Sequence, residues 1–226
     1  MTTTLRPAGP ARNEPGDICS RGYDICVNGR RVGGVEIATM TPPAHRTGTL
    51  QSLFVEPADR HRGRATVAAL AAEEVLRAWG CDEIRVSVPP AARAATRLVT
   101  SLGYTRTGWK LEKLLAVPPP ALPEGLSARA EGPNGGCVLL DGETEAGRFE
   151  LVMDEDRARL ATAGISGPLR GRGYGRALVR HAEGTALAAG ARRLALSVPA
   201  DDAAALRLAA ALGYRATDVH WRKPLL

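Results

Sequence analysis

Apolar positions along the 226-residue chain switch between two periods, and the switches mark the elements. Tyr23 to Val27 and Val32 to Met40 read as strands, joined through Asn28-Gly29, a dipeptide suited to a tight hairpin turn. Leu50 to Val55 predicts a third strand, and Pro57 stops it. From Thr66 to Trp79 the period becomes helical: Val67, Ala71, Val75 and Trp79 recur at every fourth position, the stripe of a helix packed on a sheet, and Gly80 closes it. Glu83 to Val88 is then a strand, Ala91 to Leu102 a helix capped by Gly103, and Tyr104 to Leu115 supplies one or two last strands.

The same order returns after a proline-rich stretch. Gly136 to Leu140, an Asp141-Gly142 turn, Arg148 to Met153 and Arg159 to Ile165 predict three strands. A helix carrying Ala177, Leu178, Val179, Ala182 and Ala186 runs to Ala189 and Gly190, followed by a strand from Arg193 to Val198, a helix from Ala200 to Leu212 with Gly213, and a tail through Trp221. A shift of 110 positions (170 − 60) lays Arg60 on Arg170, Gly63 on Gly173, Ser87-Val88-Pro89 on Ser197-Val198-Pro199, Leu102-Gly103-Tyr104 on Leu212-Gly213-Tyr214 and Lys113 on Lys223. An ungapped match over so many elements is an internal duplication. The expected layout is a mobile tail over 1–16, a first domain over 17–116, a stiff linker over 117–123 with Pro118, Pro119, Pro120 and Pro123, and a second domain over 124–226. Residues 41–47, with Pro42, Pro43 and His45, are expected as a loop.

Each half carries one glycine turn between a strand and a helix: Arg60-His61-Arg62-Gly63-Arg64-Ala65-Thr66 and Arg170-Gly171-Arg172-Gly173-Tyr174-Gly175-Arg176. Glycine lets the backbone turn tightly beside a ligand, and the free N–H groups of a helix's first turn favour an anion there. The Gly-Lys-Ser/Thr ending of a Walker A loop is missing, and Gly171, Gly173 and Gly175 are spaced too closely for the dinucleotide fingerprint. The remaining pattern, R-x-x-G-x-G or R-x-x-G-x-A, resembles the acyl-CoA pyrophosphate loop of the GNAT acyltransferase superfamily. Two copies in one chain resemble the tandem GNAT proteins, of which mycothiol synthase-type proteins are the best known, although this chain is considerably shorter.

The resemblance spans residue 17 to the end and implies an α/β fold with a mixed sheet in each half. It implies acetyl-CoA or another acyl-CoA as co-substrate, N-acetyltransferase activity by direct attack, and a small-molecule amine as acceptor. Main chain near Leu53, Val55 and Ile165 is expected to meet the acyl carbonyl or pantetheine, with both glycine turns holding pyrophosphate. The family's usual wall helices have no counterpart in the 45 or so residues before each fingerprint, so an acceptor pocket would need the other half or a second subunit, as in a homodimer. Where the family often has a proton-accepting carboxylate stand Gln51 and Ala161, and where it has a proton-donating tyrosine stand Val99 and Ala209. Gln51 itself, Glu36 on a neighbouring strand and His220 beside Trp221 are the candidate catalytic groups; Glu150 and Glu56 are further carboxylates nearby. A weakly basic acceptor would relax the need for a base, since an alkyl amine of pKa about 10.4 loses about 4 to 5 kcal/mol in being deprotonated at pH 7. The alternative reading is a GNAT-shaped module with decayed catalytic groups that binds acyl-CoA or a protein partner.

Composition changes this picture little. The net charge of +6 is arginine spread through both halves and concentrated at the two turns, without a polybasic run interleaved with aromatics, so nucleic acid is not the expected partner. Cys19, Cys26, Cys81 and Cys137 lack the spacing of a zinc site, and no metal is expected. No apolar run approaches the roughly 20 residues that span a bilayer, and the expected location is the cytoplasm.

Overall fold

The computed structural model describes residues 2–14, 18–40, 47–132 and 135–225; the loop expected over 41–47 lies outside them except for its last residue. The first half of the chain contains β1 (Thr3–Pro7), β2 (Arg12–Glu14), β3 (Ile18–Val27), β4 (Arg30–Met40), β5 (Thr47–Val55), α1 (Arg64–Ala78), β6 (Glu83–Val88), α2 (Arg93–Ser101) and β7 (Thr105–Leu114). The second contains β8 (Leu126–Glu131), β9 (Gly136–Asp141), β10 (Thr144–Asp154), β11 (Arg157–Ile165), α3 (Tyr174–Ala188), β12 (Arg193–Pro199), α4 (Ala203–Ala211) and β13 (Arg215–Pro224). Short 3-10 turns, Pro57–Asp59 and Gly167–Leu169, lead from β5 and β11 into the glycine turns.

The expected mobile tail instead carries two strands. β1 pairs with β3 from Thr3 opposite Val27 to Pro7 opposite Tyr23, and β2 takes the register from Arg12 opposite Ser20 to Glu14 opposite Ile18. The short segments cover an edge of β3 that would otherwise present unpaired backbone groups, and Leu5 gives β1 an apolar anchor on the core. β8 was likewise not expected; it pairs with β9 along Leu126 to Glu131. The Asn28-Gly29 turn between β3 and β4 has both residues at positive φ, 49° and 82°, as a two-residue hairpin of that type requires.

The two compact units do not divide at the prolines. One consists of residues 1–107 with 219–226 and the other of 108–218. In unit 1, β6 runs parallel to β5 on one side and pairs antiparallel with β13 on the other, Val219 opposite Val88 to Pro224 opposite Glu83. In unit 2, β12 runs parallel to β11 and pairs antiparallel with β7, Pro199 opposite Gly108 to Arg193 opposite Leu114. Each half of the chain therefore gives its last strand to the other half's sheet. The registers are equivalent: Trp221 faces Val86 as Leu111 faces Leu196.

A buried ionic cluster marks each exchanged strand. In unit 1, Glu73 of α1, 3% exposed, accepts a hydrogen bond from Tyr104 at 2.9 Å and an ion pair from Lys223 of β13 at 2.6 Å. In unit 2, Glu183 of α3 is bound by Lys113 of β7 through both oxygens, at 2.8 and 2.9 Å. Tyr214 lies under that ammonium, 5.7 Å from ring centroid to Nζ, and its buried hydroxyl has no hydrogen-bond partner among the described residues. Burial first, then the neighbouring Glu73 or Glu183, pushes the pKa of Tyr104 and of Tyr214 well above that of a free phenol.

Of the expected helical stripe, Val75 and Trp79 pack on the core, but charged groups occupy the most buried side of the helix. The side of α1 turned to the sheet carries Arg64, Ala68, Ala72, Glu73 and Leu76, whereas Val67 of the expected stripe is exposed. Two charged residues on that side hide it from a hydrophobicity pattern, and alanines let the helix approach the sheet closely. Ala72, Leu76 and Val99 cover Ile84, Val86 and Val88 in unit 1; Leu178, Ala182 and Ala186 cover Leu139, Phe149 and Leu194 in unit 2.

Candidate active site

In unit 1, β5 and β6 pair only from Thr47 opposite Glu83 to Leu50 opposite Val86; beyond that they part, although β5 continues to Val55 and β6 to Val88. The parting begins at a bulge. Glu36 stands opposite Ser52 and Ile37 opposite Leu50, so Gln51 is the extra residue of β5 and has no partner on β4. A bulge sharpens local twist and bends the strand, which carries its far end away from its neighbour. The opening is a cleft of about 760 Å³ lined by β5, β6, α2 and the glycine turn before α1.

Gly63 caps α1 at φ 71°, and no side chain caps the helix. A Cβ at Gly63 would meet nothing within 4 Å, so the turn faces open space and leaves the donors of the first helical turn free for an anion. His61, at φ 59°, holds a left-handed conformation that its counterpart Gly171 reaches without strain. Arg62 is exposed, and Ala65 and Thr66 line the cleft. Two arginines expected at the anion point elsewhere. Arg64 is buried and paired with Asp59, which also takes both oxygens' bonds from Arg30 at 2.9 and 3.0 Å. Arg60 donates through Nε to the carbonyl of Val55 at 2.8 Å, occupying the oxygen expected to face pantetheine. Leu53 and Gln51, both lining the cleft, leave the edge of β5 that has lost β6 available.

The catalytic candidates separate. Gln51 is exposed in the cleft, whereas Glu36 is not among its lining residues and lies 3.8 Å from Arg12 in an exposed ion pair. His220 of β13 sits opposite Ser87 of β6, with Nδ1 3.0 Å from the Ser87 hydroxyl, and Ser87 lines the cleft. Val99 is buried and lines the cleft; Tyr104 also lines it, but its hydroxyl is committed to Glu73.

Ser87 and Asp59 were missed by reasoning from sequence. Alternation of Ile84, Val86 and Val88 puts Ser87 on the opposite side of β6, yet nothing in the sequence pairs it with a histidine 133 positions away. Asp59 reads as a loop carboxylate, and only burial shows it to be the anchor of the turn.

Unit 2 repeats the architecture. β11 and β12 pair only from Arg157 opposite Arg193 to Leu160 opposite Leu196, and a bulge leaves Ala161 unpaired between Glu150 opposite Thr162 and Leu151 opposite Leu160. Gly173, at φ 89°, caps α3, and Arg170 turns its Nε to the carbonyl of Ile165 at 3.4 Å. Arg172 and Arg176 are exposed, while Tyr174 donates to Asp141. At Gly175 a Cβ would stand 3.3 Å from Leu208 and 3.9 Å from Ile165, so the alanine that unit 1 carries at this place, Ala65, would be crowded in unit 2.

Among the described residues no helix is long and apolar enough to cross a membrane, and no group of three or more His, Cys, Asp or Glu side chains gathers as a metal site. All four cysteines are free.

Comparison with known proteins agrees with this geometry. The model of the acetyltransferase (GNAT) family matches residues 8–104 and again 112–214. The chain belongs to that family, and does so as a tandem member with two GNAT repeats. No curated protein matches it. Similar solved structures include a GCN5-related N-acetyltransferase from Sphaerobacter thermophilus, at 19% identity and TM-score 0.67 over 90% of this chain and 80% of that one. A tandem GNAT protein from the clavulanic acid biosynthesis pathway aligns at 16% identity and TM-score 0.58 over 94% and 85%. A GCN5-related N-acetyltransferase from Kribbella flavida aligns at 15% identity and TM-score 0.61 over 86% and 88%. At these identities the structures speak for the fold.

Proposed function

We propose that unit 1 is an acyl-CoA-dependent N-acyltransferase site, with acetyl-CoA as donor and the amine of a small molecule as acceptor. The observation that carries this reading is the 760 Å³ cleft opened between β5 and β6 at the uncapped start of α1. Its glycine turn would take the pyrophosphate through main-chain N–H groups at Gly63 to Thr66, with Arg62 and His61 at its rim. The released edge of β5 from Gln51 to Leu53 would hold the thioester between the strands. The amine then attacks the carbonyl carbon, a C–N bond forms, the C–S bond breaks, and CoA leaves as thiolate. A thiolate of reference pKa about 8.5 costs about 2 kcal/mol to release at pH 7, so the absence of a phenol at Val99 is tolerable. Holding thioester and amine together supplies much of the rate.

Unit 2 offers the same turn, and its exposed Arg172 and Arg176 suit an anion; the open cleft described at β5 and β6 makes unit 1 our choice for the reacting half. Titration calorimetry with acetyl-CoA tests both statements. Wild-type protein should bind, Gly63→Glu should abolish binding at the reacting site, and Gly173→Glu should leave turnover intact. Absence of CoA binding, or full activity in Gly63→Glu, refutes the reading.

A further inference from the structure

We infer that Ser87 and His220 form the proton relay of the unit 1 site, with Ser87 touching the acceptor amine and His220 taking its proton. The inference rests on the acyltransferase reading above and supplies the base that Gln51 cannot be. Ser87 stands one residue beyond Val86, where β6 leaves β5, and lines the cleft at the level where the thioester would lie. His220 Nδ1 lies 3.0 Å from that hydroxyl. With Ser87 donating to Nδ1, the neutral imidazole carries its hydrogen on Nε2. When the amine adds to the carbonyl, its nitrogen becomes acidic. Ser87 Oγ takes that proton as its own passes to Nδ1, which leaves an imidazolium, a neutral serine, the amide and CoA thiolate. The charge balances without any further reactant.

The charged neighbours of His220 come from three strands. Asp218 and Arg222 flank it on β13, Arg85 and Glu83 lie across on β6, and Arg106 is on β7, where Thr107 also donates to the His220 carbonyl at 3.3 Å. Glu83 engages two of the three arginines of that patch, Arg85 at 2.7 Å and Arg222 at 3.5 Å, so the imidazolium forms beside partly neutralised cations. β5 contributes no titratable group between Thr47 and Val55. The duplication gives a control. In unit 2 the register places Lys110 opposite Ser197, and Lys110 pairs with Glu112 at 3.3 Å. Of the two equivalent positions, only the one in unit 1 sets a histidine opposite the serine.

The test uses full-length protein with acetyl-CoA and a panel of amines whose conjugate acids have pKa values from about 4 to about 10, spanning anilines to alkyl amines. Wild-type kcat should rise with pH along a limb that belongs to a single basic group, with amines that stay neutral across it. His220→Gln and Ser87→Ala should each lower kcat by about 10²- to 10⁴-fold, remove that limb of the profile and leave the acetyl-CoA Kd unchanged. Ser197→Ala should do none of these. NMR titration of the His220 ring gives a readout apart from turnover: Ser87→Ala should move its pKa. If wild type turns amines over and both variants keep its rate and pH profile, the relay is overturned while the acyltransferase stands. If wild type neither binds acetyl-CoA nor acylates any amine, the underlying reading falls and takes the relay with it.

Discussion

The exchange of last strands makes a prediction that contiguous halves would reverse. Lys223→Met keeps most of the apolar stem of the side chain and removes the ammonium that neutralises Glu73. At 2.6 Å the pair is worth about 6 kcal/mol of direct attraction at an effective dielectric of about 20, and much of this offsets the cost of taking both ions out of water. Removing the lysine alone leaves a carboxylate 4% exposed with only the Tyr104 hydroxyl, which should cost about 3 kcal/mol of unit 1 stability. Replacing the whole cluster (Glu73→Leu, Tyr104→Phe, Lys223→Met) removes the stranded charge as well and should recover stability to within about 1 kcal/mol of wild type. Amide hydrogen exchange in rising urea resolves the units, because α1 and β6 report on one and α3 and β12 on the other. Lys223→Met should weaken protection in α1 and β6, and Lys113→Met in α3 and β12. The opposite pattern, with each lysine supporting the half of the chain from which it comes, refutes the exchange.

Two further outcomes follow from buried groups. Asp59→Asn should destabilise unit 1 by about 3 kcal/mol in urea, because it strands buried Arg64, and should weaken acetyl-CoA binding by loosening the turn; stability and affinity both equal to wild type would deny Asp59 its anchoring role. Tyr104 and Tyr214 ionise above the usual phenol pKa of about 10, so above that pH the unfolded chain binds fewer protons than the folded one and stability falls as pH rises. Each contributes a slope of about 1.4 kcal/mol per pH unit above about pH 10 and none below it. Urea unfolding at stepped alkaline pH should show the combined slope, Tyr104→Phe and Tyr214→Phe should each lower it by about 1.4 kcal/mol per pH unit, and a flat response in wild type would contradict the argument.

The sequence by itself determined the duplication, the order of most elements and the position of both glycine turns, because these depend on local periodicity and on residues such as Gly63 and Gly173 whose backbone needs are intrinsic. Tertiary structure alone decided where the last strands lie. Since Lys113 and Lys223, Leu111 and Trp221 occupy equivalent registers, either strand satisfies either sheet locally, and no pattern within a strand distinguishes its own half from the other. The side of α1 carrying Arg64 and Glu73 was hidden for a related reason: a charge reads as solvent-facing until its partner, Asp59 or Lys223, is seen to be buried with it. The meeting of Ser87 with His220 belongs to the same class, because it exists only where a strand from the chain's end pairs with β6.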